Sequence, residues 1–343
     1  YDNCGLLVGE KGMGVNAVLI TVDVTEAVTR EAIELGANMI VSHHPLIFHG
    51  LKSLTGRSET ERCISSCIRH GIAVYAAHTN LDHISGGVSH ALAHRLGLQQ
   101  PVVLKPMQGR LRKLVTFCPT AHAAKVREAI FAAGAGQIGR YDSCSFNAEG
   151  HGTFRAGEGA NPFVGAQGAL HQEPETRIES IFPSWLTSRV VAALLEAHPY
   201  EEVAYDIYPL ENVHPGVGPG VVGSLDQPMT PMDFLTHLKD ITGSGMLRYA
   251  GMPSGLIRKV ALCGGSGSFL IREAAASGAD VFVTADLKYH DFFDLPGNMM
   301  LVDAGHFETE QFAREILRDI LSHKFPNFAV LISSVNTNPV SYL

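Results

Sequence analysis

Apolar and polar positions follow two rhythms along the first hundred residues. Short β-branched, apolar runs at 17–22, 38–42 and 72–77 alternate with stretches at 25–36, 59–70 and 88–96 that carry apolar residues at helical spacing. Thr25 stands where an N-cap is needed and Gly97 where the third helix must stop. This alternation predicts an α/β layer structure, with any site at the C-terminal ends of the strands. The same scheme returns at the far end, with strands at 259–263, 280–284, 299–303 and 328–333 and helices at 269–278 and 308–322.

The middle of the chain has a different rhythm. A strand at 113–118, Pro119-Thr120 and a helix at 123–133 are echoed 64 positions later. The echo is a strand at 177–182, Pro183-Ser184, a helix at 187–197 and a strand at 202–208. Two such units in tandem predict a ferredoxin-like α+β module. A Gly-rich stretch at 150–168 joins them and is expected to form an extended hairpin or a mobile loop. The boundaries fall in Pro/Gly-rich segments at 104–109 and 214–220. The fold class is therefore α/β: a duplicated α/β lobe built from residues 1–104 and 214–343, with an inserted ferredoxin-like domain at 105–213.

Composition narrows the function classes. At 343 residues the chain exceeds one typical core, and 45% hydrophobic with 17% charged residues excludes wholesale disorder. No apolar run approaches the ~20 residues that span a bilayer, so a membrane protein is not expected. The 6 cysteines form no C-x-x-C pair, which argues against a thiolate metal site or a disulfide framework and for a reducing, cytoplasmic setting. With 26 basic against 34 acidic residues and no basic run, a nucleic-acid partner is not expected. The 17 histidines are too many to be functional together, so position must select among them.

Position does select. Arg30-Glu31-Ala32, Gly36-Ala37 and Val41 recur 242 residues on as Arg272-Glu273-Ala274, Gly278-Ala279 and Val283. The first of these helix-strand units ends in Ser42-His43-His44-Pro45, the second in Thr284-Ala285-Asp286. Further along, His78-x3-Asp82 follows one strand and His306-x3-Glu310 follows its counterpart, both at an offset of 228. If each pair opens a helix, residues i and i+4 share a face and can converge on one point. Packing asks for neither residue type at such a place, and the duplication preserves both. Two adjacent histidines point to opposite sides of the chain, which suits two neighbouring ions.

His43, His44, Asp82, His306 and Glu310 thus offer three imidazoles and two carboxylates. These are too many for one tetrahedral zinc and few enough to leave positions open on two divalent ions, with Glu310 as a bridge. The donors admit Zn, Fe, Mn or Co. His78 is either a sixth ligand or a residue orienting Asp82 or a substrate. Asp286, Lys288 and His290 lie beside the repeated strand end, as contacts to ligands or substrate or as ordinary surface. Gly264-Gly265-Ser266-Gly267-Ser268 reads equally as an anion cradle or a tight turn.

These residues resemble the Nif-three-like family of dinuclear metal-centre proteins, whose members carry the name GTP cyclohydrolase I type 2 homologue. The resemblance is carried by 2–9 (DNCGLLVG), 42–46 (SHHPL), 78–82 (HTNLD), 263–267 (CGGSG), 284–291 (TADLKYHD) and 303–310 (DAGHFETE), which together reach across both outer segments. Ala285 departs from the family, which commonly has glycine there. The insert resembles the PII/CutA-like module of the longer members. The resemblance implies a toroidal homohexamer with two metal ions per chain: His44 and Asp82 would hold one, His43 and His306 the other, with Glu310 bridging. It further implies a hydrolase acting through a metal-bound hydroxide on a nucleotide or a related phosphorylated small molecule, with His78 or His290 shuttling protons. A non-catalytic, metal-binding regulatory or partner protein with a ligand-sensing insert is the alternative, since no triphosphate-binding motif is evident.

Overall fold

The computed structural model describes residues 2–293 and 295–343. Contacts divide the chain into two units: one runs to Lys105 and resumes over Gly216–Leu343, and the other is Pro106–Pro215.

In the first unit the chain opens with β1 (Gly5–Val8), β2 (Ala17–Thr21), α1 (Glu26–Glu34), β3 (Met39–Ser42), α2 (Glu59–Arg69) and β4 (Ala73–Ala76). There follow α3 (Thr79–Asp82), α4 (Val88–Arg95) and β5 (Leu98–Val103). Thr25 caps α1 by accepting from the Val28 amide, and Ser58 caps α2 by accepting from Glu61.

The Pro106–Pro215 unit contains β6 (Leu111–Pro119), α5 (Ala123–Ala132), β7 (Phe146–Arg155), β8 (Leu170–Pro183), α6 (Thr187–Ala197) and β9 (Tyr205–Pro209). Its sheet runs β7-β8-β6-β9, antiparallel throughout. Leu114, Cys118, Ile178 and Phe182 pack on one face against Val126 and Ile130 of α5 and Val190 and Leu194 of α6. Of the 150–168 stretch, 150–155 belongs to β7, which stays in register with β8 from Phe146↔Glu179 to Arg155↔Leu170, and 156–168 forms the long turn between the two strands.

The chain then returns with β10 (Val221–Met229), α7 (Pro231–Thr242), β11 (Arg248–Ala250), β12 (Ile257–Ser266), α8 (Ile271–Ala276), β13 (Val281–Ala285) and β14 (Met300–Asp303). It closes with α9 (His306–Glu310), α10 (Ala313–Lys324) and β15 (Ala329–Ile332). One sheet is ordered β1-β4-β3-β2-β15 and the other β11-β14-β13-β12-β10-β5. The duplication is visible in both. β2-β3-β4 and β12-β13-β14 are parallel triplets, flanked by antiparallel β1 and β11 respectively.

The parallel strands are covered on both faces, which is why they read as unbroken apolar runs. Leu19, Ile40 and Val74 face α1 and α2, whereas Val18, Ile20 and Val41 pack with Ala313 and Leu317 of α10. In the second sheet Leu262, Val283 and Val302 pack with Leu92 and Phe234, and Ala261, Phe282 and Leu301 pack with Ala274. Burying each such Leu, Val or Phe contributes roughly 1.5–3 kcal/mol, so the strand ends that follow are firmly held. The single helix expected at 308–322 is divided. Gln311 caps α9 with its amide still bonded to Phe307 O, and its side-chain amide donates to Thr242 O at 2.8 Å before the chain turns into α10. Among the described residues no helix is long and apolar enough to cross a membrane.

Candidate metal centre

His43, His44, His78, Asp82, His306 and Glu310 follow strands of the two parallel triplets and cluster together, with Asp286 bonded to His306, whereas Lys288 and His290 are exposed. His43 and His44 leave β3 with their amides still bonded to Thr21 O and Val22 O, so the turn is fixed by its neighbour strand. His78 N-caps α3 and Asp82 ends it; His306 and Glu310 begin and end α9.

Glu310 lies at the middle and is 3% exposed. Its Oε2 is 2.8 Å from His44 Nε2, 2.9 Å from His306 Nε2 and 3.6 Å from His43 Nε2. Asp82 Oδ1 is 3.5 Å from His43 Nε2. The potential ligand atoms form three overlapping groups: His43, Asp82 and Glu310; His44, His306 and Glu310; and His43, His44 and His78. Asp82 falls in a group with His43, whereas the family resemblance implies that it shares an ion with His44. The reason is local, since His43 points to the buried side of the turn where α3 ends, and His44 points to α9.

The outer nitrogen of each imidazole is already engaged. His43 Nδ1 donates to Ala77 O at 2.9 Å, His44 Nδ1 meets Asp23 Oδ1 at 2.7 Å and His306 Nδ1 meets Asp286 Oδ2 at 2.6 Å. Metal-binding imidazoles are held in this way, which fixes the tautomer and aims the free nitrogen. His43 Nε2 is buried and has no hydrogen-bond partner among the described residues, an arrangement that a cation would complete. Gly265, at φ +61°, leaves room for the carboxylate: a Cβ there would stand 2.0 Å from Glu310 Oε1. The residues present therefore fit a metal ion.

The electrostatics agree. Burial opposes a charge on Glu310, yet hydrogen bonds from His306 and His44 and the charge of the nearby His43 hold its carboxyl well below the usual range. Burial likewise opposes charge on His44 and His306, but bonds to Asp23, Asp286 and Glu310 outweigh it and raise them to about 9 and about 10. Burial pushes Asp82 up to about 7. Protons occupy imidazoles that a divalent ion would otherwise use.

His78 Nδ1 lies 2.5 Å from Asp2 Oδ2, and its ring centroid is 5.3 Å from those of both His43 and His44. Burial, then the charges on His43 and His44, lower its pKa. His290 is not brought to the cluster; it is exposed and packs with the rings of Tyr289 and Phe293. Sequence reasoning missed Asp23 and Asp2. Asp23 stands two residues past the end of β2, at the position where a third strand end would reach the site, and that was the available signal. Gly264-Gly265 serves close approach, with its glycine against a carboxylate. A cavity of about 300 Å³ adjoins the cluster, lined by Asp23, His44, His306, Arg248, Phe307 and Tyr342 among others.

Two parallel triplets meeting over imidazoles and buried carboxylates define an α/β protein with a candidate metal-binding centre. The Duf34/NIF3 (NGG1p interacting factor 3) family pattern matches residues 1–339, and the chain belongs to this family. A Halalkalibacterium halodurans protein named GTP cyclohydrolase 1 type 2 homolog is 43% identical over 347 residues, covering 100% of this chain and 93% of the relative. Its Bacillus subtilis namesake is 39% identical over 348 residues, with the same coverage. The crystal structure of a Bacillus cereus protein related to NIF3 superposes with a TM-score of 0.88 at 41% identity, covering 100% of this chain and 93% of that one.

Proposed function

We propose that the chain is a hydrolase that works with two divalent ions, one held by His43 and Asp82, the other by His44 and His306, with Glu310 shared. The observation that carries this reading is the Glu310 carboxylate, buried and facing three imidazole nitrogens whose partner nitrogens are already held. Three imidazoles and two carboxylates without thiolate suit Zn, Fe, Mn or Co. When bound, the ions would supply Lewis acidity that polarises a substrate and activates water.

The chain's own residues do the rest. Asp23 and Asp286 orient His44 and His306, and Ala77 O orients His43. His78, kept neutral by burial and by the neighbouring imidazoles, is the residue we assign to proton transfer, with Asp2 holding its Nδ1. A nucleotide or a related phosphorylated small molecule is the substrate class supported by the relatives' name and by the Arg248 side chain lining the adjoining cavity. We also read Pro106–Pro215 as a PII-like insert, supported by its β-α-β-β-α-β order, and six chains as the assembly.

The test is metal analysis beside a hydrolase screen. Protein reconstituted with each metal should carry about two ions per chain and cleave a nucleotide or phosphorylated substrate. Glu310→Gln should lose both ions and activity, whereas His290→Ala should keep its metal. One ion per chain, unaffected by Glu310→Gln, would end the dinuclear reading. Full loading with no turnover on nucleotides or phosphate esters would leave a metal-dependent binding protein.

A further inference from the structure

A second cavity, larger than the one beside the metal centre, belongs to the Pro106–Pro215 unit and contains none of the candidate metal ligands. It measures about 690 Å³, within the range of small-molecule sites. Register puts it on the sheet face away from α5 and α6. Cys118 and Ile178 face those helices, so their neighbours Phe117 and Arg177, paired with each other and with Ala148, face the opposite way. The turn between β7 and β8, with Phe163, and the segment after α6, with Tyr200 and Glu201, also line the cavity. These two segments are tied together where the Asn161 amide donates to Glu201 Oε1 at 2.8 Å.

Glu175 lines this space and is only 8% exposed. It accepts one hydrogen bond, from Tyr200 Oη at 2.9 Å, and forms no salt bridge among the described residues. Among the described residues no cation is paired with it, although Arg155 and Arg177 also line the cavity. His198 has both nitrogens in use, Nε2 donating to Phe117 O and Nδ1 accepting from the Tyr200 amide, which fixes a neutral ring. The Arg177 guanidinium is turned to Glu179 Oε1 at 2.9 Å. A buried carboxylate without a cation is costly.

Two further features accommodate a ligand. Gly152 is a strand residue whose Cβ would lie 2.1 Å from Glu175 Oε2, so its absence lets the carboxylate lie flat against β7. Above it the rings of Phe154 and Phe163 stand 6.0 and 6.3 Å from that of Tyr200. Aromatic faces beside a desolvated carboxylate favour a cation that carries apolar surface.

We propose that this cavity binds a small organic cation, an amidinium, guanidinium or ammonium group on an apolar or planar body, with the charge on Glu175 and the body among Phe154, Phe163 and Tyr200. The site is independent of the metal-dependent reading.

Calorimetric titration of the full chain with benzamidine tests it, with benzamide and benzoate as neutral and anionic controls of the same shape. Benzamidine should bind at least about tenfold more tightly than either control. Glu175→Gln should remove that preference, and Gly152→Ala should abolish binding by displacing the carboxylate. Tyr200→Phe should keep or strengthen binding, because it frees Oε1; a purely structural Glu-Tyr pair predicts the reverse. Thermal melts report whether each variant folds, and if Glu175→Gln does not, Tyr200→Phe decides. Equal binding of benzamide, undiminished binding by a folded Glu175→Gln, or no benzamidine binding at all would overturn the proposal.

Discussion

Glu310 and Gly265 have to be considered as a pair, because the carboxylate occupies the place of a missing side chain. In Gly265→Ala the left-handed backbone alone costs about 1–2 kcal/mol, and the new Cβ must push Glu310 away from the imidazoles. Metal content should fall in this variant while most of its secondary structure survives, as read by elemental analysis and circular dichroism. Unchanged loading would show that Glu310 is not the shared group. Protons give a second measure. With His44 raised to about 9 and His306 to about 10, both are charged in the metal-free chain at pH 7. Loading must therefore eject at least about two protons, visible as a dependence of binding heat on the buffer's ionisation enthalpy. Because these folded-state values lie above the ordinary 6.5, their contribution to stability is complete below that pH. It is lost as pH rises through 9 and then 10, and metal uptake strengthens over the same interval. At this scale the sequence exposed the five candidate ligands, since all of them follow strands of the duplicated units. It could not expose Asp23 as the partner of His44 or the clearance over Gly265, which depend on how two distant strand ends meet.

Among elements, α2 shows how burial silences reactive groups. Cys63 and Cys67 stand one turn apart against α1 and the first sheet, each 0% exposed. Burial raises both thiols to about 11. In the native chain at pH 8 a disulfide reagent should modify Cys4 and Cys144, which are partly exposed, and leave Cys63, Cys67, Cys118 and Cys263 intact until denaturant is added. Fast reaction of all six would mean that α2 does not stay docked. The raised values also put a limit on alkaline stability: their contribution is undiminished below the ordinary 9.0 and is lost as pH rises from there through about 11. The parallel strands were legible because apolar residues on both faces leave an unbroken run. β1, β5, β10 and β11 were not, since an antiparallel flanking strand such as β5, with Gln99 and Gln100 exposed in its middle, is defined by its partner more than by its own pattern. The break between α9 and α10 was hidden for a related reason: Gln311 is bonded to Thr242, far away in sequence.

For the whole molecule, the division at Lys105 and Gly216 makes a deletion the natural experiment. Joining the outer segments through a short Gly/Ser linker should leave a folded, metal-loaded product, because every ligand atom grouped around Glu310 comes from the first unit. Light scattering on the intact chain should return six times the 36.9 kDa subunit mass, and the deletion product should keep the same number of chains. An aggregated or metal-free product would show that the insert completes the core or the site.

The pairing of β15 with β2 sets an order in time. Ala329 lies beside Ala17, and Ile332 beside Ile20, so the strand next to the first triplet is supplied by nearly the last residues of the chain. During synthesis the first sheet must wait, its flank unpaired, while some three hundred residues are added, and non-local closure of this kind is slow. The Pro106–Pro215 unit is continuous and is made in full before His306 and Glu310 leave the ribosome. Translation would thus deliver a finished insert carried by an unfinished lobe, and metal loading becomes a post-translational event. Pulse proteolysis of nascent chains stalled at about residue 260 should find the insert protected and the flanking segments open to cleavage.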